Sequence, residues 1–102
     1  MTKNKPNRTH PMFSKTFMPN GAELLDKSPT YKKGAGFTDC IVVLGYSEGT
    51  ACPFVTWIAH SEDLKDTGSG DYFYTLAEGM ASFAERSLHH SLDADKMLNR
   101  DY

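Results

Sequence analysis

Apolar residues crowd two short runs in the middle of the chain, residues 40–44 and 54–59, and thin out on either side. Both runs are rich in β-branched and aromatic residues, which predicts two strands. Between them Ser47, Glu48, Gly49 and Thr50 supply turn chemistry, the glycine taking a positive φ without strain. Two strands joined by such a turn form an antiparallel hairpin. Pro53 has no amide to donate, so the second strand starts after it or lies at an edge there. Residues 61–71 read as a polar loop, and Asp71, Tyr72, Phe73 and Tyr74 as a short third strand.

The period then changes from two to 3.6. Thr75 and Glu78 have capping-box spacing, the threonine at the N-cap and the glutamate reaching back to its amide. From residue 76 to about 90, Leu76, Ala77, Met80, Ala81, Phe83, Ala84 and Leu88 fall on one arc of a helix. That arc is expected to pack on the sheet, with Glu78, Ser82, Glu85, Arg86 and His89 on the opposite side. Residues 91–98 extend this helix or form a short second one.

Toward the N-terminus the pattern is weaker. Residues 1–11 are polar and basic and read as a flexible tail. Residues 12–37 carry Phe13, Phe17, Leu24 and Leu25 but are cut up by proline and glycine. They are expected to be irregular cover over the core, with a helical turn at residues 22–27. The predicted fold is a small α+β domain: an antiparallel sheet of about three strands, one amphipathic C-terminal helix on one face, and an irregular N-terminal segment. In both central strands, alternate positions are apolar on both faces, so the sheet needs two covers. The helix is one. The other is the 12–37 segment, a second copy of the chain, or a partner protein.

Composition adds an asymmetry of charge. A chain of 102 residues at net charge -2 fits one domain with a single core. Residues 1–33 hold seven Lys/Arg against Glu23 and Asp26, whereas residues 61–102 hold nine acids against four bases. A basic arm and an acidic C-terminal half suit two partners, or each other across a symmetric interface. The two cysteines, Cys40 and Cys52, form no metal-binding pair. A turn near Glu48 sets Cys40 opposite about residue 56, so two free thiols are expected, as in a cytoplasmic protein. No apolar leader follows the basic N-terminus, and no stretch is long enough to cross a membrane.

Gly45, Ser47 and Gly49 fit G-x-S-x-G, the nucleophile elbow of serine hydrolases. That elbow needs a helix directly after the serine, and the residues here predict a strand. Ser47 is therefore expected in a hairpin loop. Glu85 and His89 share a helix face at i,i+4 spacing, but two mixed ligands are a weak metal pattern. No phosphate-loop spacing occurs. With no coherent catalytic set, no cofactor is expected and the chain reads as a non-enzymatic protein-binding module or inhibitor, as a monomer or a homodimer. Trp57, Tyr46, Glu48, Tyr72, Tyr74, Glu85 and His89 are its candidate contact residues, since aromatics concentrate at interface hot spots. The alternative is a nucleic-acid-binding accessory protein using Lys3, Lys5, Arg8, Lys32 and Lys33 on phosphates. In size and style the chain is similar to the small accessory proteins of phages and plasmids, anti-CRISPR and other anti-defence inhibitors among them. That likeness carries no motif and transfers no residue role.

Overall fold

Four strands, β1 (Glu23–Lys27), β2 (Ile41–Tyr46), β3 (Phe54–Ala59) and β4 (Thr67–Phe73), precede a single helix, α1 (Leu76–Asn99). The computed structural model describes residue 13, residues 15–32 and residues 39–99, with side chains followed to residue 92. The strands pair antiparallel in the order β1-β2-β3-β4, so each neighbour in sequence is a neighbour in the sheet. This is the expected α+β domain, with one strand more than the apolar pattern disclosed. Residues 1–12, the predicted tail included, lie outside the described residues.

The central hairpin forms as its composition predicts, with Ile41 opposite Ala59 and Tyr46 opposite Phe54. Its loop closes when the Ser47 amide donates to the Pro53 carbonyl at 2.8 Å. Gly49 takes φ 89° within it. Ser47 is followed by this loop and then a strand, so the elbow architecture is absent. The turn is centred later than Glu48, which continues the register to set Cys40 level with residue 60 rather than 56. Both cysteines are free thiols, as expected.

Glu23–Lys27 form an edge strand, β1, where a helical turn over residues 22–27 was expected. Two features select it. Pairing with β2 gives the backbone a ladder, and the alternation of an extended strand turns the adjacent leucines to opposite sides of the sheet, the register slipping between Leu24 and Asp26. Leu24 packs on one core cluster and Leu25 on the other. The outer side of β1 is met in turn by residues 16 and 17, through the Leu24 amide to the Thr16 carbonyl at 2.7 Å and a Phe17–Glu23 bridge.

One face of the sheet carries Ile41, Val43, Val55, Trp57 and Ala59, all buried. Met18 and Ala22 from the N-terminal segment and Leu64 from the β3–β4 loop complete that cluster. The second cover is therefore drawn from this chain. Leu64 reaches it from a strained backbone, φ 60°, inside a turn held by Asp63. The Ser61 hydroxyl and the Lys65 amide donate to Asp63 Oδ1 at 2.7 and 3.1 Å. Those two bonds, the serine's first, hold the exposed Asp63 carboxyl below its ordinary range. Trp57 fills the middle of this face in a slot made by two glycines. A Cβ on Gly45 would stand 2.8 Å from Trp57 Cζ3, and one on Gly70 would stand 3.0 Å from Trp57 Nε1.

The helix covers the opposite face, but rotated from the orientation its apolar pattern predicts. Leu76, Gly79, Ser82, Phe83 and Arg86 turn inward, whereas Ala77, Met80, Ala81, Ala84 and Leu88 are exposed. The cause is polar. Thr56 stands fully buried in the centre of this face, and its hydroxyl needs partners. Ser82 Oγ lies 2.9 Å from it and Arg86 Nη1 3.0 Å. Arg86 also donates to the Thr56 carbonyl at 3.0 Å and, through Nη2, to the Ser69 carbonyl at 2.8 Å. Ser69, φ 55°, lies where β4 bulges against β3, the register slipping between Thr56 and Ile58. A bulge leaves backbone groups without ladder partners, and the guanidinium satisfies one of them.

Closest approach of helix to sheet is at Gly79. A Cβ there would lie 3.0 Å from Leu44 Cδ1 and 3.2 Å from Phe54 Cβ. The sheet side cannot retreat, because Leu44 and Phe54 are themselves fully enclosed. Gly79→Val is expected to lower the free energy of unfolding by about 1–3 kcal/mol through overpacking. Urea titration checks this, and an unchanged midpoint would contradict the packing described. The capping box forms as predicted: the Glu78 amide donates to Thr75 Oγ1 and the Thr75 amide to Glu78 Oε1, both at 3.2 Å. Among the described residues no helix is long and apolar enough to cross a membrane.

Candidate functional site

α1 runs back along the sheet over β2 and β3 and leaves β4 partly uncovered, which opens a groove between helix and edge strand. Its volume is about 540 Å³. One wall is Asp71, Tyr72 and Phe73 of β4, and the other is Glu78, Ala81, Ser82 and Glu85 of α1. The helical residues meet there because positions three and four apart share a face. Arg86, half-buried beneath, ties the walls together through Thr56 and Ser69 and stands 3.4 Å from Asp71 Oδ2.

Three carboxylates border this groove, from Asp71, Glu78 and Glu85. Its apolar surface comes from Phe73 and Ala81. Tyr72, 61% exposed and paired with Val55, sends its ring to the opposite, Trp57 face, where its hydroxyl lies 3.1 Å from the position of a Cβ on Gly70. Tyr74, 69% exposed, follows at the junction of strand and helix. The chemistry on offer is charge attraction for cations combined with a small apolar patch, Phe73 and Ala81, for their stems. Among the described residues, no group of three His, Cys, Asp or Glu side chains converges as metal ligands.

The structure gathers only some of the residues singled out in the sequence. Glu85 lines the groove, and Tyr72 belongs to its β4 wall but turns its ring to the other face of the sheet. Tyr74 follows where strand meets helix, and His89 lies one helical turn beyond Glu85, exposed. His89 meets His90 edge to face, with ring centroids 5.5 Å apart. Glu48 is exposed in the β2–β3 loop, at the same end of the sheet as Tyr74 because Phe54 pairs with Phe73. Tyr46 and Trp57 are different: both are core residues. Tyr46 is enclosed by Phe13 and Phe54, with centroids at 5.4 and 5.2 Å. Trp57 fills the opposite face between its two glycines. Neither offers a contact surface, a correction to the reading of them as interface anchors.

Of the basic residues, Lys32 is exposed and paired with Asp39 at 3.0 Å. Lys3, Lys5, Arg8 and Lys33 lie outside the described residues. Asp71, Phe73, Glu78 and Ser82 are groove residues that the sequence did not identify as such. The one available signal was the shared flank of Glu78, Ser82 and Glu85, which read as a solvated helix face. A second hollow, about 90 Å³, lies near the opposite end of the sheet beside Ile41. Its polar groups are spent on one another: Thr30 Oγ1 donates to Glu62 at 2.9 Å, and His60 Nδ1 lies 3.0 Å from the Asp39 carbonyl.

Compared with known proteins, the chain matches no family model, no curated protein and no solved structure.

Proposed function

We propose that this protein is a non-enzymatic protein-binding module, an inhibitor or accessory protein that acts by occupying a surface of a larger assembly. Its contact site is the groove between α1 and β4, and the segment it takes is extended and basic. The observation that carries this reading is the gathering of three carboxylates, Asp71, Glu78 and Glu85, along one groove beside Phe73. Lysine or arginine stems lie along Phe73 and Ala81 while their cationic ends reach Asp71, Glu78 and Glu85.

Calorimetric titration with an arginine- and lysine-rich peptide, an acidic control peptide and duplex DNA tests this. The basic peptide is expected to bind and the acidic one not. Glu78→Lys/Glu85→Lys is expected to weaken binding about tenfold or more, and Tyr72→Ala, whose ring lies on the opposite face of the sheet, to leave it unchanged. Equal affinity of the charge-reversed variant would overturn the proposal. So would binding of DNA alone, steeply salt-dependent and abolished by removing residues 1–11, which is the behaviour of the nucleic-acid alternative.

A further inference from the structure

Because polar demands turn Ser82 and Arg86 inward, the apolar arc of α1 is left facing outward. Ala77, Ala81, Ala84 and Leu88 lie within about 60° of one another around the helix. Met80 and Leu92 border them. Leu88 is 61% exposed, Leu92 51% and Met80 41%. Large apolar side chains held outward along several turns mark an interaction surface rather than scattered surface residues.

The order of residues along this face specifies its occupant. Small side chains, Ala77, Ala81 and Ala84, occupy its N-terminal half, and leucines, Leu88 and Leu92, its C-terminal half. Such a face is complementary to itself when reversed. We infer that a second copy of the chain docks α1 against α1, antiparallel, with the two-fold axis level with residues 86 and 87. In that register Ala84 faces Leu88 of the second copy and Ala81 faces its Leu92. Each leucine then enters the space left by an alanine, which also allows close approach of the helices.

Charge fits the same register. Glu85 borders the apolar face and meets His89 of the second copy, an imidazole N–H donor for its carboxylate, and the pair occurs twice by symmetry. A parallel pairing would instead set Glu85 beside Glu85 and leucine against leucine. The two-fold also fixes the grooves: Glu78 and Glu85 flank the face on the same side in both copies, so both grooves open toward one side of the dimer. This inference rests on the outer face of α1, which shares Ala81 and Glu85 with the groove wall, and Leu88 and Glu78 tell the two apart.

Light scattering and sedimentation across a range of concentrations test it. The wild-type chain is expected to have twice the chain mass and to dissociate on dilution. Leu88→Asp, which alters an exposed residue outside the groove, is expected to be monomeric while retaining the wild-type unfolding midpoint and basic-peptide binding. Glu85→Lys is expected to weaken dimerisation about tenfold, and Glu85→Lys/His89→Glu to restore it. A wild-type monomer at every concentration, a Leu88→Asp dimer, or failure of the double exchange to restore association would overturn it. Loss of peptide binding in a dimeric Glu78→Lys variant would concern the groove alone.

Discussion

Replacing Trp57 with alanine is expected to lower the free energy of unfolding by about 3–5 kcal/mol, the range for emptying a large aromatic site in a core. The indole is enclosed by the far-face cluster and seated across Gly45 and Gly70, so its removal leaves a void that the paired strands cannot close. A binding assay on this variant would therefore report unfolding. The slot itself is tested by coupling. Gly45→Ala places a methyl where Trp57 Cζ3 is 2.8 Å away and is expected to cost about 1–3 kcal/mol. In a Trp57→Leu background most of that penalty should vanish, since the atom it collides with is gone. Denaturant titration of the four proteins measures this. An equal penalty for Gly45→Ala in both backgrounds would mean that the ring does not lie against the glycine.

Arg86→Met is expected to have the second largest effect, about 2–4 kcal/mol, because it strands acceptors as well as removing a side chain. The guanidinium is the partner of the Thr56 hydroxyl, the Thr56 carbonyl and the Ser69 carbonyl, and its own side chain is only 17% exposed. Arg86→Lys is expected to recover little, since one ammonium cannot span Thr56 and Ser69 as the planar fork does. The nearby Asp71 contributes less. Its side chain is 62% exposed, and Asp71→Asn is expected to change stability by less than about 1 kcal/mol. Thermal and urea unfolding of the three variants rank them, and an Arg86→Met protein as stable as Asp71→Asn would refute the bonding described.

The hairpin and the capped helix were legible because each is announced locally: β-branched runs about a glycine turn in one case, Thr75 and Glu78 in the other. β1 was not, since its five residues, Glu-Leu-Leu-Asp-Lys, show no alternation of apolar and polar when Leu24 and Leu25 each meet a core cluster on opposite faces. The start of β4 was hidden in the same way by Gly68, Ser69 and Gly70, whose composition reads as a loop and whose strand geometry comes from pairing with β3. The phase of α1 was misread for a deeper reason. Hydrophobicity ranked its faces, but the choice of inward face was made by Thr56, a buried hydroxyl on another element. The candidate site inherited these errors. Tyr72 and Glu85 were recognised as surface groups, while their neighbours across the groove depended on where β4 and α1 meet.

The bulge in β4 also shapes the open edge of the sheet. Among the described residues nothing pairs with the outer side of β4, and an open edge of this kind is a template on which further chains add strand by strand. Ser69 interrupts that template: its positive φ bends the strand, and Arg86 holds its carbonyl toward the interior. The same guanidinium that supports the buried threonine thus keeps the edge irregular, and the folded chain stays unsuited to edge-to-edge stacking for as long as that one side chain remains in place.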